Sequence, residues 1–225
     1  MKIGIDARLI RETGVGRYTS NLIKYLQRID HKNDYVLFVR SQDLDEIKKW
    51  SMENGQWKMV AIDIPWHSIK EQVQFTEILN REKLDLVHFP YFSVPIRYNR
   101  PFVITIHDLI LHHYPTGKAS TLPFPFYAIK VLGYKYIIKK ASEKAKKIIT
   151  VSKATKDEIV DHLKIPKDKT VVTYEGVDEQ ISKSSSFAKA SADAQVSKEL
   201  KDKKYFLYVG NVYPHKNAEK MLEAF

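Results

Sequence analysis

The feature that most constrains the fold is a series of short apolar runs that alternate with helical patterns. The runs are almost uninterrupted in Val, Ile, Leu, Phe and Tyr, as is typical of strands buried on both faces of a parallel sheet. Their alternation with helices predicts a doubly wound α/β domain, in which ligands gather at the carboxyl ends of the strands. The predicted strands are Lys2–Ile5, Tyr35–Val39, Lys58–Ile62, Leu86–Phe89, Phe102–Ile106, Lys147–Val151, Thr170–Tyr174 and Tyr205–Val209.

Apolar residues spaced three or four apart predict helices between these strands. Each set below is predicted to lie on one face of its helix, and Pro166 is predicted to end the second helix. The sets are Tyr18, Leu22, Tyr25, Leu26 and Ile29; Ile159, Val160 and Leu163; and Ala218, Met221, Leu222 and Phe225.

One segment is poor in core residues and divides the chain. Ser182–Lys198 reads SKSSSFAKASADAQVSK, a composition that predicts a linker or a low-complexity insertion. We therefore assign residues 1–178 to one Rossmann-like domain, 179–203 to a linker and 204–225 to the start of a second domain. One strand and one helix cannot bury a core, so we expect the second domain to be cut short in this sequence.

Composition limits the function classes. The chain has no cysteine, which excludes disulfides and thiolate metal sites. It begins without the apolar core of a signal peptide and has no run of about 18 apolar residues, so we expect a cytoplasmic protein. The net charge of +10 favours anionic partners, but without a recognition motif we do not expect nucleic acid.

The basic excess is concentrated in one stretch. Residues 118–153 hold nine lysines and one acidic residue, Glu143. A solvated helix face explains this as well as an anionic membrane surface does. Upstream of most of these lysines, Tyr114–Tyr136 is rich in aromatic residues and proline. It is either a helix and loop that cover the sheet or a loop that touches a lipid-linked acceptor at the inner face of the membrane.

The first motif with chemical potential is a G-x-G loop that opens a helix after the first strand. Gly14 and Gly16 permit close backbone approach, and a helix N-terminus offers N–H groups to an anion. Dinucleotide binding is disfavoured because Thr19 replaces the third small residue and Arg40 stands where an acidic residue is needed. A tight turn without a ligand is the alternative.

The second motif is His107-Asp108, directly after an apolar strand. A histidine at that position can bind a sugar hydroxyl or stabilise developing charge, and the aspartate can orient it or cap the next turn. A structural His–Asp pair is the alternative. Metal binding with His112 and His113 is disfavoured because the three lack the i, i+4 spacing of helical zinc ligands.

The third motif is a loop between a strand and a helix that contains Gly210 and Lys216. A lysine in such a loop can meet a diphosphate as a point charge, or it can be an ordinary solvated side chain.

Taken in order, these motifs resemble one family. The G-x-G loop, the strand that ends in His107-Asp108, Val151-Ser152 before a helix, Gly176-Val177-Asp178, and the LYVG…HKN…AF ending from Leu207 to Phe225 are similar to retaining GT-B glycosyltransferases of family 4. The resemblance implies two Rossmann-like domains that face each other across a cleft. The N-terminal domain would bind the acceptor and the C-terminal domain a UDP- or GDP-sugar, with no metal and no further cofactor.

The resemblance also implies roles for individual residues. Gly14, Gly16 and Gly210 would face the donor diphosphate, with the Gly16 N–H as the nearest donor, and Lys216 would neutralise that diphosphate as it leaves. His107 would contact the reacting sugar, with Asp108 beside it. The acceptor-side residues would be Arg17, Tyr18 and Tyr91.

The chain departs from the family pattern at three positions. Many relatives have arginine where Asn211 and His215 stand, and asparagine where Glu175 stands. The two glutamates that hold the ribose and the donor sugar in the family would lie beyond Phe225. We therefore expect the chain alone to be inactive or nearly so, with no tight binding of nucleotide-sugars. A non-catalytic binding module of the same fold is the alternative function, and NAD-linked oxidation is weaker.

Overall fold

The structure is a computed structural model that describes residues 1–50, 56–113, 123–176, 208, 210, 212–213 and 216–224. The chain divides into two compact units, Met1–Pro115 with Leu122–Tyr174 and Thr116–Thr121 with Glu175–Phe225. The predicted linker at 179–203 lies outside the described residues, and so does the strand predicted at Tyr205–Val209 except for Tyr208.

A seven-stranded parallel sheet forms the first unit, with the strand order β3-β2-β1-β4-β5-β6-β7. This confirms the predicted doubly wound α/β class, and the seven strands predicted in this unit agree with it to within one or two residues. The strands are β1 Lys2–Asp6, β2 Asp34–Val39, β3 Trp57–Ala61, β4 Leu86–Phe89, β5 Phe102–Ile106, β6 Lys147–Thr150 and β7 Thr170–Val172.

The order of the strands reverses beside β1. Ile3 pairs with Tyr35 of β2 on one side and with Leu86 of β4 on the other. At such a switch point the following loops diverge to opposite faces of the sheet and leave a crevice outside the carboxyl ends of the strands.

Strand β2 shows why the apolar runs are uninterrupted. Leu37 and Val39 are buried on one face of the sheet, and Val36 and Phe38 are buried in a second core on the other face. Each face is covered, so no residue of the strand gains from being polar.

Helices connect the strands. They are α1 Thr13–Ile29, α2 Leu44–Lys48, α3 Thr76–Arg81, α4 Ile110–His113, α5 Phe124–Lys144 and α6 Lys153–Leu163, and the second unit contributes α7 Ala218–Glu223. A π-helical turn at Glu71–Phe75 leads into α3. Among the described helices we find none with the length and apolar character to cross a bilayer.

The predicted face of α1 is wrong in part. Tyr25 and Ile29 are exposed, whereas Gly16, Thr19 and Ile23 are buried. Gly16 packs closely on the preceding loop, where a Cβ would lie 2.4 Å from the Ile10 carbonyl oxygen, and this contact turns Gly16, Thr19 and Ile23 inward. A hydrophobic pattern alone does not reveal such a contact.

Candidate active site

The G-x-G helix and the His-Asp strand end come together at the carboxyl edge of the sheet. The hydroxyl of Tyr18, one turn into α1, lies 3.2 Å from the Thr105 hydroxyl of β5. The edge of the Tyr18 ring packs against the His107 imidazole, with 4.9 Å between ring centroids and an interplanar angle of 86°. Two motifs far apart in sequence therefore form one site.

His107 is half-buried and fixed from two directions. Its Nε2 lies 3.0 Å from the Pro90 carbonyl. Because a carbonyl oxygen can only accept, Nε2 carries the proton and donates it to this bond. The backbone carbonyl of His107 accepts from the Thr155 hydroxyl at 3.1 Å, and Thr155 in turn donates its N–H to the N-cap Ser152. The start of α6 thus holds the end of β5.

A buried polar chain lies behind His107. His88 Nε2 is 2.8 Å from the hydroxyl of Thr105, the residue that also contacts Tyr18. Burial, and secondarily His107, lowers the pKa of His88 to about 4, so this imidazole is neutral at pH 7. Sequence reasoning missed His88 and Thr105. Their signal is that each is a polar residue inside an otherwise apolar strand.

Asp108 takes one of its two predicted roles. Its side chain is exposed, and its carboxylate accepts the N–H of Ile110 at 2.9 Å, which caps α4. The orientation of His107 comes from the Pro90 carbonyl. A catalytic role for Asp108 remains a prediction.

The two glycines of the loop have different surroundings. A Cβ on Gly16 would lie 2.4 Å from the Ile10 carbonyl oxygen, whereas a Cβ on Gly14 would meet nothing within 4 Å. The Gly16 N–H donates to the Glu12 carbonyl at 2.7 Å. This N–H is thus already hydrogen-bonded within the chain, and its contact with a diphosphate stays a prediction.

The N–H groups of α1 that could bind an anion lie in its first turn. The N–H groups there have no acceptor within the helix, and the N-cap residue, Glu12, makes no side-chain capping bond. Gly14 lies in this turn with open space around its Cα. It remains the better of the two glycine candidates for a diphosphate contact.

The three acceptor-side candidates lie near this edge in different settings. Tyr18 lies inside the site, and Arg17 is exposed on the first turns of α1. Tyr91 follows β4, half-buried against Phe92 with 4.1 Å between ring centroids. Burial, and secondarily the Asp108 carboxylate, raises the pKa of Tyr91, so its hydroxyl keeps its proton at neutral pH.

A buried ion cluster beside the site was not predicted. Arg8, 1% exposed, donates two hydrogen bonds to Asp6 at 2.9 and 2.7 Å and one to Glu71 at 2.6 Å. Glu71 also accepts from the Ser93 hydroxyl at 2.9 Å. Burial by itself lowers the pKa of Arg8, but the charges of Asp6 and Glu71 outweigh it and raise that pKa. The cluster joins the end of β1, the π-helical turn and the loop after β4.

The neighbouring histidines form a separate group. The rings of His113 and His162 lie 4.6 Å apart between centroids, and His113 Nε2 is 3.6 Å from a Glu158 carboxylate oxygen. His112 packs beside both. Within the described residues, no three His, Asp or Glu side chains are arranged to hold a metal ion.

The donor-side candidates belong to the second unit. Lys216 is exposed before α7, where its N–H donates to the Tyr213 carbonyl at 2.8 Å. Gly210 has a φ of 158°, and Glu175 is exposed. Asn211 and His215 lie outside the described residues. The roles of Gly210 and Lys216 stay predictions.

Residues 13–181 match the model of Glycosyltransferase Family 4. The chain belongs to glycosyltransferase family 4. The predicted family is therefore confirmed, and the matched range includes the G-x-G loop, the His107 strand end and the strands β2 to β7.

The chain is also similar to two known proteins. The O-antigen chain mannosyltransferase RfbU of Salmonella typhimurium is 26% identical over 138 residues, which are 61% of this chain and 32% of RfbU. A glycosyltransferase from Rickettsia africae has a similar fold, with a TM-score of 0.52 and 18% identity over 99% of this chain and 64% of that one. The chain thus spans about a third of RfbU and less than two thirds of the solved structure.

Proposed function

We propose that this chain supplies the acceptor side, and the beginning of the donor side, of a retaining, metal-independent hexosyltransferase. The donor is a UDP- or GDP-sugar, and the acceptor is a glycan or a lipid-linked glycan of the cell surface, reached from the cytoplasmic side. Family membership supports the reaction type. The mannosyltransferase RfbU makes mannose the first sugar to test.

The observation that carries the proposal is the contact between Tyr18 and His107. It places the open first turn of a 17-residue helix and an oriented imidazole at one edge of the sheet. The helix N-terminus would stabilise the diphosphate, and His107 would contact a hydroxyl of the transferred sugar. Lys216 would neutralise the charge that develops on the leaving diphosphate.

No protein nucleophile is needed in this scheme. The acceptor oxygen forms its bond to the anomeric carbon on the face from which the diphosphate departs. The C–O bond to the diphosphate breaks, and the proton of the acceptor hydroxyl passes to the departing phosphate oxygen. The protein contributes position and charge, which are the large terms when the leaving group is an anion.

Sugar transfer tests the proposal. Release of UDP or GDP is measured with membrane-derived acceptors, for this chain and for the longest polypeptide that contains it. In the longest polypeptide, we expect His107→Ala to lower turnover by about a hundredfold, as for a lost polar contact to the reacting group. The matched control is His31→Ala, an exposed histidine on the loop after α1. Equal losses in both variants would contradict a role for His107.

Binding measurements separate the alternatives. For this chain alone, titration calorimetry with UDP- and GDP-sugars is expected to show no tight binding, because the chain spans only about a third of the length of RfbU. A sub-micromolar dissociation constant would contradict this division of labour. Tight binding without turnover, in the longest polypeptide as well, would favour the non-catalytic binding module.

A further inference from the structure

Helix α5 is apolar on two opposite sides. Val131, Tyr134 and Ile138 are buried in the core of the first unit. On the opposite side four large apolar side chains are exposed by more than half. They are Phe126 at 62%, Ile129 at 66%, Leu132 at 67% and Tyr136 at 56%.

These four residues, which we call the α5 stripe, follow helical spacing. They recur every three or four positions and so form one continuous row along the helix. Gly133 lies on the same side, where an added Cβ would meet nothing within 4 Å. Packing among the described residues of the first unit does not account for this second apolar face. A contiguous exposed apolar patch marks an interaction surface.

The stripe ends in a basic region. Lys139 and Lys140 continue the outer side of α5 towards its C-terminus, whereas the Lys144 ammonium donates to the Ile96 carbonyl and the Asn99 side chain. The sequence from Pro123 to Lys153 contains eight lysines, and its one acidic residue, Glu143, pairs with Lys140 at 2.8 Å. A row of aromatic and aliphatic side chains next to lysines is the pattern of a helix that lies in the interface of an anionic bilayer.

The location of the stripe connects it to the site. Helix α5 links the carboxyl end of β5 to the amino end of β6, so its first turns lie at the edge that carries His107. Tyr134, on the inner side of α5, packs on Phe92 with 4.9 Å between ring centroids, and Phe92 contacts Tyr91. An acceptor held in a membrane against the stripe would therefore be close to the candidate acceptor side.

We propose that the α5 stripe and the lysines that follow it dock this domain on an anionic lipid surface. The apolar side chains enter the headgroup region, and the lysines meet lipid phosphates. The inference rests on the proposed function only in naming a lipid-linked acceptor as the molecule that docking would present. Membrane binding is measured without any sugar, so its failure is distinguishable from failure of sugar transfer.

A single-cysteine probe tests insertion directly. Because the chain has no cysteine, Leu132→Cys can be labelled with an environment-sensitive fluorophore at one position. We expect a blue shift and a gain in intensity with phosphatidylglycerol-containing vesicles, and a much smaller change with pure phosphatidylcholine. The control is Ile29→Cys at the end of α1, which is 73% exposed and should not respond. Equal responses at both positions, or none at position 132, would overturn the proposal.

Co-sedimentation with the same vesicles separates the apolar and charged contributions. Ile129→Ser with Leu132→Ser should weaken binding at least about tenfold, because two large apolar side chains no longer enter the lipid. Lys139→Gln with Lys140→Gln should cost about fivefold per lysine, on anionic vesicles only and less at high salt. Lys48→Gln with Lys49→Gln on α2, and Ile29→Ser, are the matched controls and should bind as the unmodified chain does.

Two further measurements test the docking proposal: a variant that should bind vesicles more strongly, and a measurement of self-association. Gly133→Leu should strengthen vesicle binding, because it extends the stripe into open space. Circular dichroism confirms that each variant is folded. If Ile129→Ser with Leu132→Ser abolishes self-association in sedimentation equilibrium and leaves vesicle binding unchanged, the stripe is an interface between two copies and the lipid proposal is wrong.

Discussion

The ends of β1 and β5 lie at the same edge of the sheet but hold their polar groups in opposite ways. At the end of β1, Arg8 is 1% exposed and its guanidinium is occupied by Asp6, Glu71 and the Ile64 carbonyl. At the end of β5, His107 is half-buried, donates to the Pro90 carbonyl and contacts Tyr18. Arg8 is charged and enclosed, whereas His107 reaches the edge of the sheet where a ligand would bind.

We interpret this difference as one between a structural cluster and a candidate catalytic residue. A buried charge is tolerated only when its partners satisfy it, and a satisfied group has no capacity left for a substrate. The Arg8 cluster therefore fixes the loops that form the crevice. His107, supported by neutral His88 through Thr105 and Tyr18, keeps its ring at the surface of the site. Charged residues in a strand-end motif are thus not necessarily the functional ones.

Breaking the enclosed cluster gives the largest expected effect. Glu71→Ala leaves part of the Arg8 charge uncompensated in the interior and should lower the free energy of unfolding by about 3–5 kcal/mol. Urea denaturation measures it. The control is Glu46→Ala, whose carboxylate pairs with Arg11 at the surface and should cost less than about 1 kcal/mol. Similar losses in the two variants would mean that the cluster is not a scaffold.

The second largest expected effect is a pH dependence of the free energy of unfolding that comes from buried His88. The unfolded chain protonates His88 as pH falls below its ordinary pKa of 6.5, but the folded chain does so only near pH 4. The contribution of His88 to stability is therefore complete above pH 6.5 and is lost as pH falls towards 4, by about 3 kcal/mol.

Denaturation at several pH values checks this expectation. In His88→Gln the drop in unfolding free energy between pH 7 and pH 4 should be smaller by that amount. His31→Gln, at an exposed position, should leave the drop unchanged. If the pH dependence of His88→Gln is the same as that of the unmodified chain, His88 does not titrate as a buried neutral group.

Sequence reasoning located the strands because continuous apolar runs and parallel sheets have the same physical cause. It placed His107 at a strand end because this residue directly follows an apolar run, and β5 does end at Ile106. It missed the Arg8 cluster because Glu71 lies 63 positions away and no local pattern links the two. One signal was present: Asp6 and Arg8 are two residues apart at a strand end, which places their side chains on one side.

The glycine loop shows a second limit of the sequence. The G-x-G spacing was visible, but its two members could not be told apart. Gly16 is needed for packing against Ile10, and Gly14 borders open space. That distinction depends on the path of the preceding loop, which the sequence does not state.

Substitution of the two glycines is expected to change the stability by an intermediate amount at Gly16 and hardly at all at Gly14. Gly16→Ala places a methyl group 2.4 Å from the Ile10 carbonyl oxygen and should lower stability by about 1–3 kcal/mol. Gly14→Ala meets no atom and should leave stability unchanged or slightly raised. Thermal unfolding measures both. Equal destabilisation by the two substitutions would show that Gly14 also has a packing role.

The smallest expected effect concerns Asp108. Asp108→Ala removes the cap of α4 and should cost about 1 kcal/mol, whereas Asp108→Asn, which can still accept the Ile110 N–H, should cost less. Amide exchange of α4 measures the loss of the cap. If capping is the whole role, sugar transfer by Asp108→Asn stays within a few-fold of the unmodified protein. If transfer falls as far as in His107→Ala, the negative charge itself is required. Asp108 would then belong with His107 as chemistry rather than with Arg8 as scaffold, because the amide keeps the cap and removes only the charge.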